Sequence, residues 1–259
     1  MFSSEPRCVY RRNPLAEVIC QFRFPEIPAL AGEAPDEFHN CIRGDFPCYD
    51  RLREVSTPIL SGLPGNPPLP KPSPTVNHRF LSADGKIKVN LTSRFISVST
   101  TAYTCWEDFA PSIDKPLAEF IRLYQPQRFD RVGLRYMNFI SRRDCGLEGA
   151  QFRWLICAPY LGPLGFPQVK ESDCLRCSVD TAFSLPGGCH VKIHAGPGRV
   201  TRSGVPDNEV KFIFDQDLFK NEPIPVNTSI QVLQTLHSHA YPIFRGAITD
   251  LMHNQFMSK

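Results

Sequence analysis

Apolar and polar residues alternate most clearly at two places in the chain. Residues 17–24, EVICQFRF, put Val18, Cys20, Phe22 and Phe24 on one face and Ile19, Gln21 and Arg23 on the other, between Pro14 and Pro25. Residues 129–141, FDRVGLRYMNFIS, carry Val132, Leu134, Tyr136 and Ile140 on one parity and Met137 and Phe139 on the other. Apolar residues on both parities predict a central strand covered on both faces. Arg135 and Asn138 break that pattern, and a covered sheet would have to give each of them partners.

Around these two strands the pattern predicts further elements. Residues 35–43 read as a short helix, with Pro35 at its start, Asp36 and Glu37 at the positive end and Gly44 at its exit. Residues 78–83 and 86–91 form a hairpin about Asp84-Gly85, and 95–101 continue as a strand. Between 106 and 124, apolar residues recur at three and four, which predicts an amphipathic helix interrupted near Pro111 and Pro116. Residues 144–172 read as loops with one short strand around 152–157. Strands follow at 173–184, 189–194 and 209–214, with a polar Gly/Pro loop at 196–208. One long helix, 228–257, capped by Asn227 or Thr228, closes the chain, with a kink at Pro242. Seven prolines between 58 and 74 exclude a helix or central strand there and predict an exposed loop of polyproline II character. Hairpins outnumber βαβ units, so the fold class is α+β: a mostly antiparallel mixed sheet with two long amphipathic helices packed on it. The strands-then-helix order recurs in an N-terminal half, 1–143, and a β-rich C-terminal half, 144–259, which one continuous domain can also contain.

Composition narrows the class. The 259 residues bury enough surface to fold without staples. A net charge of +3 neither demands nor forbids nucleic acid. No apolar run reaches the roughly 18 residues of a membrane span, and the N-terminus lacks a signal-type apolar run, so the expected setting is the cytoplasm. There the ten cysteines are expected to be reduced and mostly buried.

The runs NPLAEVICQFRFPEIP, FLSADGKIKVNLTSRFISVSTTAYTCWEDF, RVGLRYMNFI and YPIFRGAITDLM follow one another in this order. Together they resemble a sporadically distributed prokaryotic protein family of about 250–280 residues whose function is uncharacterised. The resemblance implies a soluble bacterial or archaeal protein and suggests a mobile-element or defence setting. It brings no reaction, cofactor or catalytic residue with it.

Several groups are candidates for chemistry. Asn90, Arg94, Arg135 and Asn138, with Arg131 and Tyr136 nearby, lie on strands expected to be central. An arginine fork with amide neighbours suits a carboxylate, phosphate or nucleobase. The plainer reading pairs Arg135 with Asp130, Glu17 or Asp84 inside the fold. Asp215 and Asp217 would share one face if their strand continued past Phe214, and could then hold a divalent cation; otherwise they are turn residues. Cys174 and Cys177 form a single CxxC with no second pair, and on an extended strand they would face opposite ways. His237 and His239 sit roughly 200° apart on a helix, too far round to chelate together. No phosphate-loop, dinucleotide, nucleophile-elbow or HExxH motif occurs. The expectation is a non-enzymatic binding or accessory protein for a protein or nucleic-acid partner, with no cofactor and no membrane. The alternative is a metal- or nucleotide-dependent hydrolase using Asp215 and Asp217.

Overall fold

The computed structural model describes residues 2–55, 74–202 and 205–258. Its centre is one nine-stranded antiparallel sheet. The strands are β1 (Leu15–Arg23), β2 (Cys48–Val55), β3 (Pro74–Leu81), β4 (Ile87–Leu91), β5 (Phe95–Thr100), β6 (Arg131–Ile140), β7 (Val179–Leu185), β8 (Cys189–Gly198) and, after a two-residue ladder of β9 (Thr201–Arg202) and β10 (Val205–Pro206), β11 (Lys211–Lys220). Their order across the sheet is β2-β3-β4-β5-β1-β6-β11-β8-β7. The protein is therefore α+β. β6 pairs with β1 on one side and β11 on the other, so one ladder runs across residues 143 and 144. The proline-rich stretch 58–74 lies outside the described residues except for Pro74, which opens β3.

A layer of helices covers one face. Phe38 of α1 (Asp36–Ile42) packs on Phe80, and Phe120 of α3 (Pro111–Tyr124) stacks on Phe24 at 4.6 Å. Tyr160 and Phe152 meet Phe214 and Phe212 on the same side. The even residues of β6, Val132 through Ile140, are all buried in this layer. The odd residues, Arg131, Arg135, Met137 and Phe139, are only half-buried, and among the described residues no helix packs on their face.

Other boundaries shift for local reasons. The helix expected at 106–124 divides at Ala110 into α2 (Trp106–Phe109) and α3, which runs through Pro116 and ends with Gln125 in the left-handed region. Around 152–157 the chain forms a helix, α4 (Phe152–Leu155), not a strand; only Ile156 makes a bridge, to Ile248. β7 starts at Val179, five residues after Cys174, and β8 reaches Gly198 in what reads as loop. At Gly196 a Cβ would strike the Cys177 carbonyl, so β8 needs glycine where that segment crosses it.

The closing helix is two helices. α5 (Ser229–Ala247) continues through Pro242, and α6 (Asp250–Met257) follows an extended Ile248. Thr249 caps α6, its hydroxyl accepting from the Met252 amide, while the Thr249 amide donates to Leu155. Buried Arg245 holds the corner: it donates to both carboxylate oxygens of Glu5 at 2.8 Å, to Asp250 at 2.6 Å and to the Ile248 carbonyl. Thr228 precedes α5, but its hydroxyl donates to the Pro225 carbonyl and caps no helical amide. No helix among the described residues is long and apolar enough to cross a membrane.

α5 docks on β6 through His237. Its Nδ1 shares a hydrogen bond of 2.9 Å with the Tyr136 hydroxyl, and its ring stacks on Trp106 at 4.4 Å. Burial first, then Arg7, lowers the His237 pKa to about 4, against the opposing pull of Glu107. Above about pH 6.5 the imidazole is neutral folded and unfolded, so it adds no pH dependence. Between about 6.5 and 4 the unfolded chain takes a proton that the native chain refuses, so stability falls with pH. The ring still reaches solvent, and we expect a loss of about 2 kcal/mol across that window. Urea midpoints of wild type and His237→Phe should converge as pH falls from about 7.5 to 4.5, since only wild type carries this loss; a constant difference between them would refute the assignment.

Candidate functional site

The face of the sheet away from the helices carries its chemistry in rows set by the antiparallel register. One row runs Gln21, Gly133, Phe219, His190; the next runs Ile19, Arg135, Asp217, Lys192; the next runs Glu17, Met137, Asp215, His194. β11 continues past Phe214 through both aspartates, so Asp215 and Asp217 do point to one face. Each meets an arginine of β6. Arg135 donates through Nε to Asp215 Oδ1 at 2.8 Å and through Nη2 to Oδ2 at 2.5 Å, a forked pair. Arg131 donates through Nη2 to both oxygens of Asp217, at 2.7 and 2.9 Å. Its guanidinium lies across Gly133, where a Cβ would collide with it, and over the Phe219 ring at 4.8 Å.

These groups floor a basin of about 420 Å³ on the sheet. Arg23 and Lys192 stand at its sides. Arg23 donates to the Gln21 amide oxygen at 2.9 Å, and the same oxygen accepts from Arg131 at 3.3 Å. Partial loss of hydration by burial, then the neighbouring Arg131 charge, lowers the Arg23 pKa, with Asp217 pulling the other way. Lys192 sits over Phe219 at 5.7 Å. Neither Arg23 nor Lys192 forms an ion pair among the described residues. With four cations and the Asp217 carboxylate in its lining, and Asp215 behind Arg135, the basin presents N–H donors and positive charge to an anion.

The four residues expected to act together are dispersed. Arg135 alone lines the basin. Asn90 is on the same face three strands away, donating to Ser97 and accepting from Asn77. Arg94 sits in the β4–β5 turn, 68% exposed at its side chain, paired with Glu26. Asn138 has the opposite parity and is buried under the helices, where it donates to the Phe214 carbonyl at 3.1 Å. The acid beside Arg135 is Asp215, not Asp130, Glu17 or Asp84, which bond Arg128, Lys88 and the Ser82–Lys86 turn. Arg23, Lys192 and Phe219 were missed, although the alternation around Phe22 and in HVKIH puts polar groups on this parity.

The other candidates stay apart. Cys174 and Cys177 precede β7 instead of lying on a strand, and Cys177 donates to the Leu161 carbonyl at 3.4 Å. Its thiol pKa is raised by burial and by Cys174. His239 bonds the Pro186 carbonyl at 3.3 Å, away from His237. Among the described residues no group of three or more His, Cys, Asp or Glu is placed to hold a metal ion.

The Arg135–Asp215 pair is a test of how much this floor contributes. The Arg135 side chain is 44% exposed and that of Asp215 14%. Water can reach the aspartate if its partner goes, so Arg135→Met should cost about 1 kcal/mol instead of the 3–5 kcal/mol of a fully buried pair. A double-mutant cycle with Asp215→Asn should return a coupling of about 0.5–1.5 kcal/mol. Strict additivity in chemical denaturation would show that the pair contributes nothing.

A scan against protein-family models and a search of curated proteins match nothing to this chain.

Proposed function

We propose that the protein is a non-enzymatic binding protein whose arginine-lined basin, on the sheet face away from the helices, takes single-stranded nucleic acid. The observation that carries this reading is the pair of cations, Arg23 and Lys192, without an ion-pair partner among the described residues, beside a floor of arginines locked by aspartates. Locked arginines keep their outward N–H groups in fixed positions, and the two unpaired cations supply the charge that draws a phosphate backbone. A protein partner would want an apolar anchor at the centre of the patch, where this basin offers mainly Ile19 and the already occupied ring of Phe219. The metal- or nucleotide-dependent hydrolase fares worse. Asp215 and Asp217 each spend their oxygens on a guanidinium, so a cation there would have to displace an arginine. A cytoplasmic, prokaryotic setting near mobile or defence genes belongs to the same proposal and is supported by the family resemblance alone.

Fluorescence anisotropy with labelled single-stranded oligonucleotides of about 20 nucleotides tests the reading directly. Binding should weaken with salt at a log–log slope of about −1.5, as for two phosphates neutralised. Arg23→Ala with Lys192→Ala should cut affinity at least about tenfold and flatten that slope. No binding at low salt, or binding that the double variant leaves intact, would overturn the assignment. A protein captured from lysate in a manner dependent on the same two side chains, without oligonucleotide binding, would do so as well.

A further inference from the structure

A groove of about 910 Å³ follows the arginine basin along the same face of β6. Its floor is Met137 and Phe139, the next two residues of the parity that carries Arg131 and Arg135. Both are half-buried, and neither belongs to the apolar core, which lies on the other side of the sheet. One wall is Pro14 and Ala16, where β1 begins, and the other is Val200 and Thr201. The Phe139 amide donates to the Pro14 carbonyl at 2.9 Å, which fixes the floor against the first wall.

Charge divides along the strand. The basin gathers four cations, whereas the groove sets Glu17, Asp144 and Asp207 against Arg12 and Lys211. Glu17 is paired with Lys88 at 3.2 Å and Asp207 with Lys211 at 2.9 Å. Asp144 is exposed, and among the described residues its carboxylate forms no ion pair. The turn after β6 holds it in place. Its amide donates to the Ser141 hydroxyl at 3.0 Å, Ser141 donates to Glu209 at 2.7 Å, and the Arg143 amide donates to the other Glu209 oxygen at 3.0 Å. A phosphate in the groove would meet these carboxylates, so it stays over the basin. A flat ring suits the Phe139 floor, and an N–H on the edge of that ring suits Asp144.

We propose, resting on the single-strand reading of the basin, that this groove is where the bases of that strand bind. A base bearing an exocyclic amino group stacks on Phe139 and donates that group to the Asp144 carboxylate, while neighbouring phosphates lie over the arginines. Phe139 stands four residues beyond Arg135, about 14 Å along an extended strand, so one nucleic-acid strand laid along β6 reaches both. Any base can stack on an aromatic ring, and selection comes from the base edge. Cytosine carries an N4 amino donor where uracil has the O4 acceptor. A carboxylate accepts from the first and is repelled by the second.

Three labelled strands of about 10 nucleotides separate the bases from the backbone: one of deoxycytidine, one of deoxyuridine and one of abasic sites. In fluorescence anisotropy the cytidine strand should bind at least about fivefold more tightly than the uridine strand. The uridine strand should in turn bind at least about fivefold more tightly than the abasic strand, as expected for one stacked base. All three should share one salt dependence, because their phosphates occupy the same basin. Phe139→Ala should bring both base-bearing strands close to the abasic affinity. Asp144→Ala should erase the preference for cytidine without weakening the uridine strand. If Phe139→Ala does not fold, Asp144→Ala, at an exposed position, decides together with the three strands. Equal affinity for all three strands would keep the basin and overturn the base site. A cytidine preference that survives Asp144→Ala, or base-dependent binding that survives Phe139→Ala, would overturn it as well. If none of the strands binds, the basin fails and the base site fails with it.

Discussion

The alternation of β6 is the constraint on which both faces of the molecule depend. A strand turns successive side chains to opposite sides, so the ten residues from Arg131 to Ile140 must serve two environments at once. The even set enters the helical layer and meets α5 there. The odd set must place two guanidiniums on a sheet face, and this is tolerable because β11 brings a carboxylate within reach of each, offset along the strand from the directly opposed residue. A one-residue slip of β11 against β6 would bury Asp215 and Asp217 beneath the helices and bring Phe214 and Leu218 to the open face. The ion pairs and the apolar layer therefore specify the same register from opposite sides.

That double role separates what is stabilising from what is available. Arg131 and Arg135 are committed to Asp217 and Asp215, and their outward N–H groups are displayed as a fixed surface. Arg23 and Lys192 carry the uncompensated charge. The buried face follows the same logic with neutral groups: Tyr136 bonds His237 and Asn138 bonds the Phe214 carbonyl, while the Gln216 Oε1 has no partner among the described residues. In both places the residues that define the architecture are held by partners within the fold. Those left with capacity stand next to them.

Much of this was legible in the sequence where period and local chemistry agreed. β1, β6, the Asp84-Gly85 hairpin and the α+β class follow from alternation and turn residues. β2 was not: CYDRLREV is charged on both parities, as suits a strand at the sheet edge with less to bury. The end of α5 misleads in another way. Pro242 advertises a break, yet the helix runs through it, and the chain turns at Ile248-Thr249, two residues past Gly246. The signal present was Thr249 before Asp250, a capping residue followed by an acid in the first turn. The break also depends on Arg245 reaching back to Glu5, 240 residues away in sequence, which no local pattern reveals.

The candidate site was less legible than the fold because a site is defined by contacts between distant strands. The polar interruptions at Arg135 and Asn138 were visible, but their three-residue spacing already puts them on opposite faces of an extended strand. That parity keeps the two out of any one cluster. The FDQDLF run was ambiguous for a related reason. Two aspartates after an apolar stretch read as a turn while their partners are unknown, and a carboxylate on a sheet face is costly when unpaired. Once Arg131 and Arg135 are seen opposite them, the same residues become the reason the strand continues. The arginines also take up the oxygens that a cation would need, so the contact that explains the strand argues against a metal role for Asp215 and Asp217.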